Sequence, residues 1–418
     1  MSISSDIIKI NELLNRHYYK GSRNDYVTNT DGSTCFEITT DTYIDTEAYV
    51  YYDSSDTSLN FVRLEKDVYT DGQVVDTKTY YKGIETLQPT VDTDIPWYSV
   101  RGNITTVNFN SEIRPISCAY WFDHCEQLIT IDNLTRLDTS QCQNMSSMFR
   151  NCLSLVTIEV DNFNTSKVTD MSYMFDHCTS LTSLDVNNFD TSKVTNMYCM
   201  FNFCELLPSL DVSNFNTSNV IDMQQMFNMC TSLTALNVSN FNTSNVTNMC
   251  FMFESCRTLT SLNVDNFNTS KVTKMHYMFH DCELLTSLNV SNFDTSNVTT
   301  MRQMFGECES LTILDIGNFN IKNITNIKEM FKGCSELQTI NLAGWEFTLN
   351  ENSTIDAQDM FKNCSNLEYI YISSLWNNNK ITASTGVFTG CTQLPNFNAS
   401  FVSGAKAYAG TGGYLTLR

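Results

Sequence analysis

A chain of 418 residues with 42% apolar content is long enough to bury a sizeable core and too apolar to be disordered. It contains no run of about 18 apolar residues, the length needed to span a bilayer. With 46 acidic against 25 basic residues its formal charge is −21, which repels phosphate backbones and argues against nucleic acid as a partner.

Taken in chain order, Ile7, Ile8, Ile10, Leu13 and Leu14 fall on one face of a short helix after Ser4 or Ser5, which predicts an N-terminal amphipathic helix over 1–20. The same stretch lacks the basic segment and the continuous apolar run of a secretory signal, so it reads as a product made in the cytosol. Residues 21–115 hold CFEITT, EAYVYYD and NFVRLEKDVYTDGQVVDTKTYY, rich in β-branched and aromatic residues, with Asp71-Gly72 as a hairpin turn signal. They predict a separate small β-rich domain suited to attachment.

From 116 to 400 the chain repeats. Cys152, Cys178, Cys204, Cys230, Cys256, Cys282, Cys308 and Cys334 are spaced by 26, and Cys125, Cys364 and Cys391 extend the series at intervals of 27, 30 and 27. A fixed period of this size marks a solenoid whose units bury their apolar faces only by stacking. Val168, Met171, Met174, Phe175 and Cys178 lie on one stripe at helical spacing, with Thr169 at the N-cap; the same cap is Thr195, Thr247, Thr273, Thr299 and Thr325. In LTSLDVNNF, Leu184 and Val186 alternate with Ser183 and Asp185, as in a half-buried strand. The expected fold is therefore an α/β repeat solenoid of about 11 coils, one short helix and one short strand per 26-residue coil, with a parallel sheet. Helices need about 8–10 Å between axes against about 4.8 Å for strands, which predicts a curved array with the strands inside. Cysteines so far apart exceed the roughly 7 Å Cα limit of a disulfide, so the ladder reads as reduced, buried thiols. Residues 401–418 form a cap or tail.

The pattern M-x-x-M-F-x-x-C-x-x-L-x-x-L-x-V-x-N-F-x-T-S-x-V-x-x resembles the BspA-like leucine-rich repeat surface proteins over 118–400, most strongly from Met145 to Cys334. The resemblance implies a leucine-rich-repeat-like solenoid and a non-enzymatic adhesin that binds host proteins. Such proteins carry an export signal or a lipoprotein cysteine. A signal-less start followed by an adhesin-like array points instead to a virion tail or head fibre, with a secreted or cell-surface adhesin and an architectural spacer as the alternatives.

Chemical motifs are scarce. There is no C-x-x-C pair, no H-E-x-x-H, no glycine-rich phosphate loop and no G-x-S-x-G elbow, and no cofactor is expected. His276 and His280, four apart, would share a helical face without an evident third metal ligand; His124 and His177 each precede a ladder cysteine without an orienting third group. The column Glu159, Asp185, Asp211, Asn237, Asn263, Asn289, Asp315 and Asn341 lies on the exposed strand face and reads as solvated or mutually hydrogen-bonded. The N-x-S/T sequences at Asn164 and Asn242 read as turn chemistry.

Internal variation is more informative. The Met, Phe, Cys, Leu and Val columns are nearly constant, whereas the two positions after the first Met run through Ser172–Tyr173, Tyr198–Cys199, Gln224–Gln225, Cys250–Phe251, His276–Tyr277 and Arg302–Gln303. Solvated drift produces such columns, and so does a recognition surface, for which aromatics are the typical anchors. The candidate binding residues are Tyr173, His177, Tyr198, Phe203, Phe251, His276, Tyr277 and His280. The expected partners are a protein or glycan receptor on a cell surface and an assembly partner for residues 1–115, with no nucleic acid and no membrane insertion, and with a homo-oligomer left open.

Overall fold

The computed structural model describes residues 43–346, 354–374, 376, 380–400, 402–403 and 413–417, and the short strands His17–Tyr19, Tyr26–Thr28 and Thr34–Phe36. Of the helix expected over 1–20, the part through Ile7 and Leu14 lies outside these residues, while His17–Tyr19 is a strand that pairs antiparallel with Tyr43–Asp45 rather than the helix's end; most of the expected tail also lies outside them. Among the described residues no helix is long and apolar enough to cross a membrane.

Tyr43–Asp53 pairs antiparallel with Ser58–Glu65 on one side and with Lys78–Lys82 on the other. Gly72, at φ +72°, does sit in a turn, Thr70 to Gln73. The tight hairpin loop comes later, at Asp76–Thr77, between Gln73–Val75 and Lys78–Lys82.

The expectation of a separate N-terminal domain is corrected by the sheet. Ser58–Glu65 pairs parallel with Thr106–Phe109, which pairs parallel with Thr130–Asp132 of the first coil, so one sheet runs from the N-terminal strands into the array. The core is equally continuous. The Phe61 ring stacks on Phe109 and Trp121, with centroids 4.4 and 5.3 Å away, and Trp97 Nε1 donates to the Trp121 carbonyl at 2.7 Å. Phe122 then stacks on Phe149 and begins the Phe column of the solenoid. Residues 43–115 therefore cap the first coil and bury its apolar end.

Most coils have a parallel strand rung two to four residues long, such as Thr157–Ile158 beside Ser183–Leu184, with leucine or isoleucine inward; no strand forms at Ser261–Leu262, and Ser287 makes a single bridge to Ile313. The expected helices do not form. Between Met171 and Cys178 the N–H donors alternate: Met174, Asp176 and Cys178 bond three residues back within the coil, while Tyr173, Phe175 and His177 bond carbonyls of the next coil, Tyr198, Met200 and Asn202, at 2.8–2.9 Å. The segment is thus a train of β-turns stitched sideways. An eight-residue helix is marginal by itself, and it would hold coils 8–10 Å apart where the strands hold them at about 4.8 Å. The turn train keeps a strand-like spacing on both walls, and the predicted mismatch that would curve the array disappears.

Met171, Met174, Phe175 and Cys178 are nevertheless all fully buried, because a turn every three or four residues returns the same side chains inward as a helix would. Phe175, Phe201, Phe227 and Phe253 stack in register, with centroids 5.7–5.9 Å apart. The expected N-cap threonines act as rungs instead: Thr195 and Thr273 donate Oγ1 to the carbonyls of Thr169 and Thr247 in the preceding coil. Capping falls one residue later, where Asp170 Oδ1 accepts the Ser172 N–H at 2.9 Å.

The cysteine argument changes in the same way, since coil spacing no longer holds these residues apart. Cys152, Cys178, Cys204, Cys230 and their successors to Cys391 are free, fully buried, and donate Sγ–H to the Phe carbonyl of the preceding coil at 2.8–3.3 Å. Cys125, which opens the column, is likewise free and buried. Burial pushes the ladder thiols from Cys125 to Cys364 up, to about 12 at Cys230 and Cys308, so they remain protonated donors.

Candidate functional site

The turn train forms one wall of the solenoid, and two positions in every coil of it take left-handed backbone. One column runs Ser147, Tyr173, Cys199, Gln225, Phe251 and Tyr277; the other runs Asn151, His177, Phe203, Met229, Ser255 and Asp281; all have φ between 55° and 61°. These are the third positions of β-turns, where glycine or asparagine is the low-energy choice. The chain does use glycine at Gly333, Gly386 and Gly390, and elsewhere it accepts a side chain at a cost of about 1–2 kcal/mol each. Replacing Gln225 by glycine is therefore expected to raise stability by up to about 1 kcal/mol, measured by chemical denaturation, whereas Gly333→Ala is expected to lower it.

All eight candidate residues fall on this wall, half-buried, and the structure gathers them into two clusters. In the first, Tyr173 meets Tyr198 edge-on at 4.8 Å, His177 stacks on Phe203 at 4.2 Å, and the Arg150 guanidinium lies over Tyr173 at 5.6 Å. In the second, Phe251 stacks on Tyr277 at 4.8 Å, His276 and His280 meet these rings edge-on, and Arg302 lies over Tyr277 at 5.6 Å. Between them, Tyr198 Oη donates to Gln225 Oε1 at 3.2 Å, and Gln224 Oε1 accepts from Asn248 at 2.6 Å. The wall thus reads arginine, aromatics, amides, aromatics, arginine along its length.

Arg150 is a member that sequence reasoning missed. It belongs to a third variable column, Arg150, Asp176, Asn202, Asn228, Glu254 and His280, whose variation was the available signal. Four buried polar atoms on this wall have no hydrogen-bond partner: Asn202 Oδ1, Asn228 Oδ1, His280 Nδ1 and Arg302 Nε. Of these, His280 Nδ1 is 3.4 Å from Glu254 Oε1, close enough for an ion pair but not aligned for a hydrogen bond. Among the described residues only three other such atoms occur, Glu47 Oε2, Trp121 Nε1 and Asn162 Oδ1.

The histidines do not make a metal pair. His276 Nδ1 faces Cys250 Sγ at 3.1 Å, while His280 Nε2 faces the Gln303 amide in the next coil. Burial, with Lys274 and Arg302 adding to it, lowers His276 below its ordinary value, and burial pushes Cys250 up to about 12. A neutral imidazole beside a protonated thiol is a hydrogen-bonded pair rather than an activated nucleophile. His124 and His177 turn away from the neighbouring cysteines to Asp123 and Asp176, at 2.9 and 2.7 Å. Asp92, Asp123 and His124 converge closely enough to ligate a cation, but Arg150 clasps Asp123 with two hydrogen bonds and Arg101 pairs with Asp92. Arginine already supplies the positive charge there.

The opposite, strand face is more uniform. Asp185 and Asp211 each accept the backbone N–H two residues on, and Asn289 and Asn341 donate to Asp265 and Asp315 in the preceding coils at 2.8 Å. A shallow concavity of about 450 Å³ there is lined by Glu159, Asp161, Thr182, Ser183, Asp185 and Ser209, a solvated acidic surface.

A parallel repeat solenoid with a sheet-continuous N-terminal cap is the class this geometry defines. The family described as "Mycoplasma protein of unknown function, DUF285" matches residues 116–209, 208–289, 260–369 and 285–402, and the chain belongs to it. Similar solved structures include a leucine-rich repeat protein from Bacteroides ovatus, 14% identical over 83% of this chain and 92% of that one, TM-score 0.40. Another, from Eubacterium ventriosum, is 13% identical over 85% and 97% of the two chains, TM-score 0.31. No curated protein matches the chain.

Proposed function

We propose that the protein is a non-enzymatic recognition scaffold whose turn wall, from Arg150 to Arg302, binds a protein on a cell surface. The observation that carries this reading is the choice of side chain at the left-handed turn positions. A wall that served only as a spacer would be most stable with glycine or asparagine there, yet Tyr173, His177, Phe203, Phe251 and Tyr277 occupy five of them and leave ring surface partly exposed. Aromatics flanked by arginine are the composition of interface anchors. On the strand face, by contrast, Asp185 and Asp211 are held by backbone N–H groups two residues on, and Asn289 and Asn341 reach back to the preceding coil.

Residues 43–115, which cap the array, are the part that attaches the scaffold to a larger assembly, whether a virion fibre or the surface of the cell that makes it. The joint variant Tyr198→Ala, Phe251→Ala, Tyr277→Ala is expected to keep the wild-type circular dichroism and thermal midpoint to within a few degrees and to lose at least tenfold in binding of the labelled protein to intact target cells. Unchanged cell binding would reject the turn wall as the recognition surface and favour the spacer.

A further inference from the structure

In a repeat protein every contact between coils can be compared with its equivalents along the same chain. Cys118 stands where later coils have Met145, Met171 and Met197, and Cys142 stands where they have Val168, Val194 and Val220. Two different columns therefore change to cysteine at one and the same boundary. They are also the two side chains that touch there. The Cys118 N–H and the Cys142 thiol both donate to the Asn144 carbonyl, at 2.9 and 3.3 Å, and the two thiols lie within hydrogen-bonding reach of each other. Both side chains are fully buried and free. The repeat-column cysteines from Cys152 to Cys391 differ, because each sends its Sγ–H to a Phe carbonyl of the preceding coil. Among those, Cys364 and Cys391 also approach one another, but both keep that carbonyl bond.

We infer that Cys118 and Cys142 are a disulfide-forming pair that staples the first coil, on which the N-terminal cap rests, to the second. The co-reactant is a small-molecule disulfide such as oxidised glutathione. Either of the two thiols can open the exchange, for instance Cys142. Its thiolate attacks one sulfur of the small disulfide, forms a mixed disulfide and releases one small thiol. Cys118 then attacks Cys142 Sγ, closes the bridge and releases the second. Two electrons pass from the protein to the small disulfide, and the two thiol protons end on the released thiols. As both sulfurs are shielded in the finished coil, exchange takes place while the first two coils assemble.

The test refolds the full chain with oxidised glutathione in excess over reduced, then denatures it in an alkylating reagent and maps the products by mass spectrometry. The expected result is that two of the 16 thiols escape alkylation and that a peptide links Cys118 to Cys142. The thermal midpoint of the oxidised protein should exceed that of the reduced one by several degrees. The variant Cys118→Met, Cys142→Val, which restores the residues of the other coils, should lose both the linked peptide and the oxidant-dependent rise. Alkylation of all 16 thiols in the refolded wild type, or a bridge found only between Cys364 and Cys391, would overturn the assignment whether or not the variant folds.

Discussion

Truncating Phe227 to alanine is expected to destabilise the protein by about 3–5 kcal/mol. The ring is fully buried, stacks on Phe201 and Phe253 at 5.8 and 5.7 Å, and leans on Phe241 at 6.4 Å. The loss therefore falls on two coil boundaries at once, and neither can collapse into the void because the turn-train hydrogen bonds hold the coils in register. In a solenoid the damage stays with nearest neighbours. Hydrogen exchange should accelerate in the coils around Phe227 and remain at the wild-type rate around Phe331. A cost below about 1.5 kcal/mol, or exchange that rises uniformly, would mean that the Phe column is not what ties successive coils together.

Gly344→Ala is expected to be at least as damaging, for a backbone reason. A Cβ at this position would lie 1.7 Å from the Gly317 carbonyl oxygen and 2.9 Å from its carbon, and neither is a flexible side-chain end that can swing away. The preceding coils have asparagine here, and Asn292 and Asn318 each reach back to a carbonyl, at 2.9 Å, through the side-chain amide. At the coil that follows, the main chain itself closes in and Trp345 Nε1 takes over the link, donating to the Ile316 carbonyl at 3.2 Å. Asn318→Ala should cost only the amide bond, about 1–2 kcal/mol, while Gly344→Ala should cost about 4 kcal/mol or leave the last coils exposed to protease. Equal effects of the two substitutions in denaturant titrations would contradict the close approach.

The contrast between what the sequence shows and what it hides follows from the kind of information each feature needs. The period, the inward Met, Phe, Cys, Leu and Val columns and the strand rungs are local and repeated, so they were legible. The helix was a misreading with a physical cause. Met171, Met174, Phe175 and Cys178 are spaced as on a helical stripe, and a turn train buries the same spacing. The distinguishing mark would have been glycine at the left-handed positions, and that is where the chain instead writes Tyr173, His177 and Phe251. The sheet joining Ser58–Glu65 to Thr106–Phe109 was hidden for another reason: it is a pairing across some fifty residues that no local pattern announces. The candidate wall was recoverable from column variation, but Arg150 and the amides between the clusters acquire a meaning only when the coils are stacked.

The boundaries within the array are nearly interchangeable: Phe201 on Phe227, Phe227 on Phe253 and Phe253 on Phe279 repeat one geometry to within about 0.1 Å. An in-frame gain or loss of one coil in the gene leaves every remaining boundary of a kind the chain already contains. The protein is consequently a ruler with graduations of about one strand spacing, whose reach, and with it the distance between the two aromatic clusters, can be reset by recombination between its own repeats without a new fold having to be found.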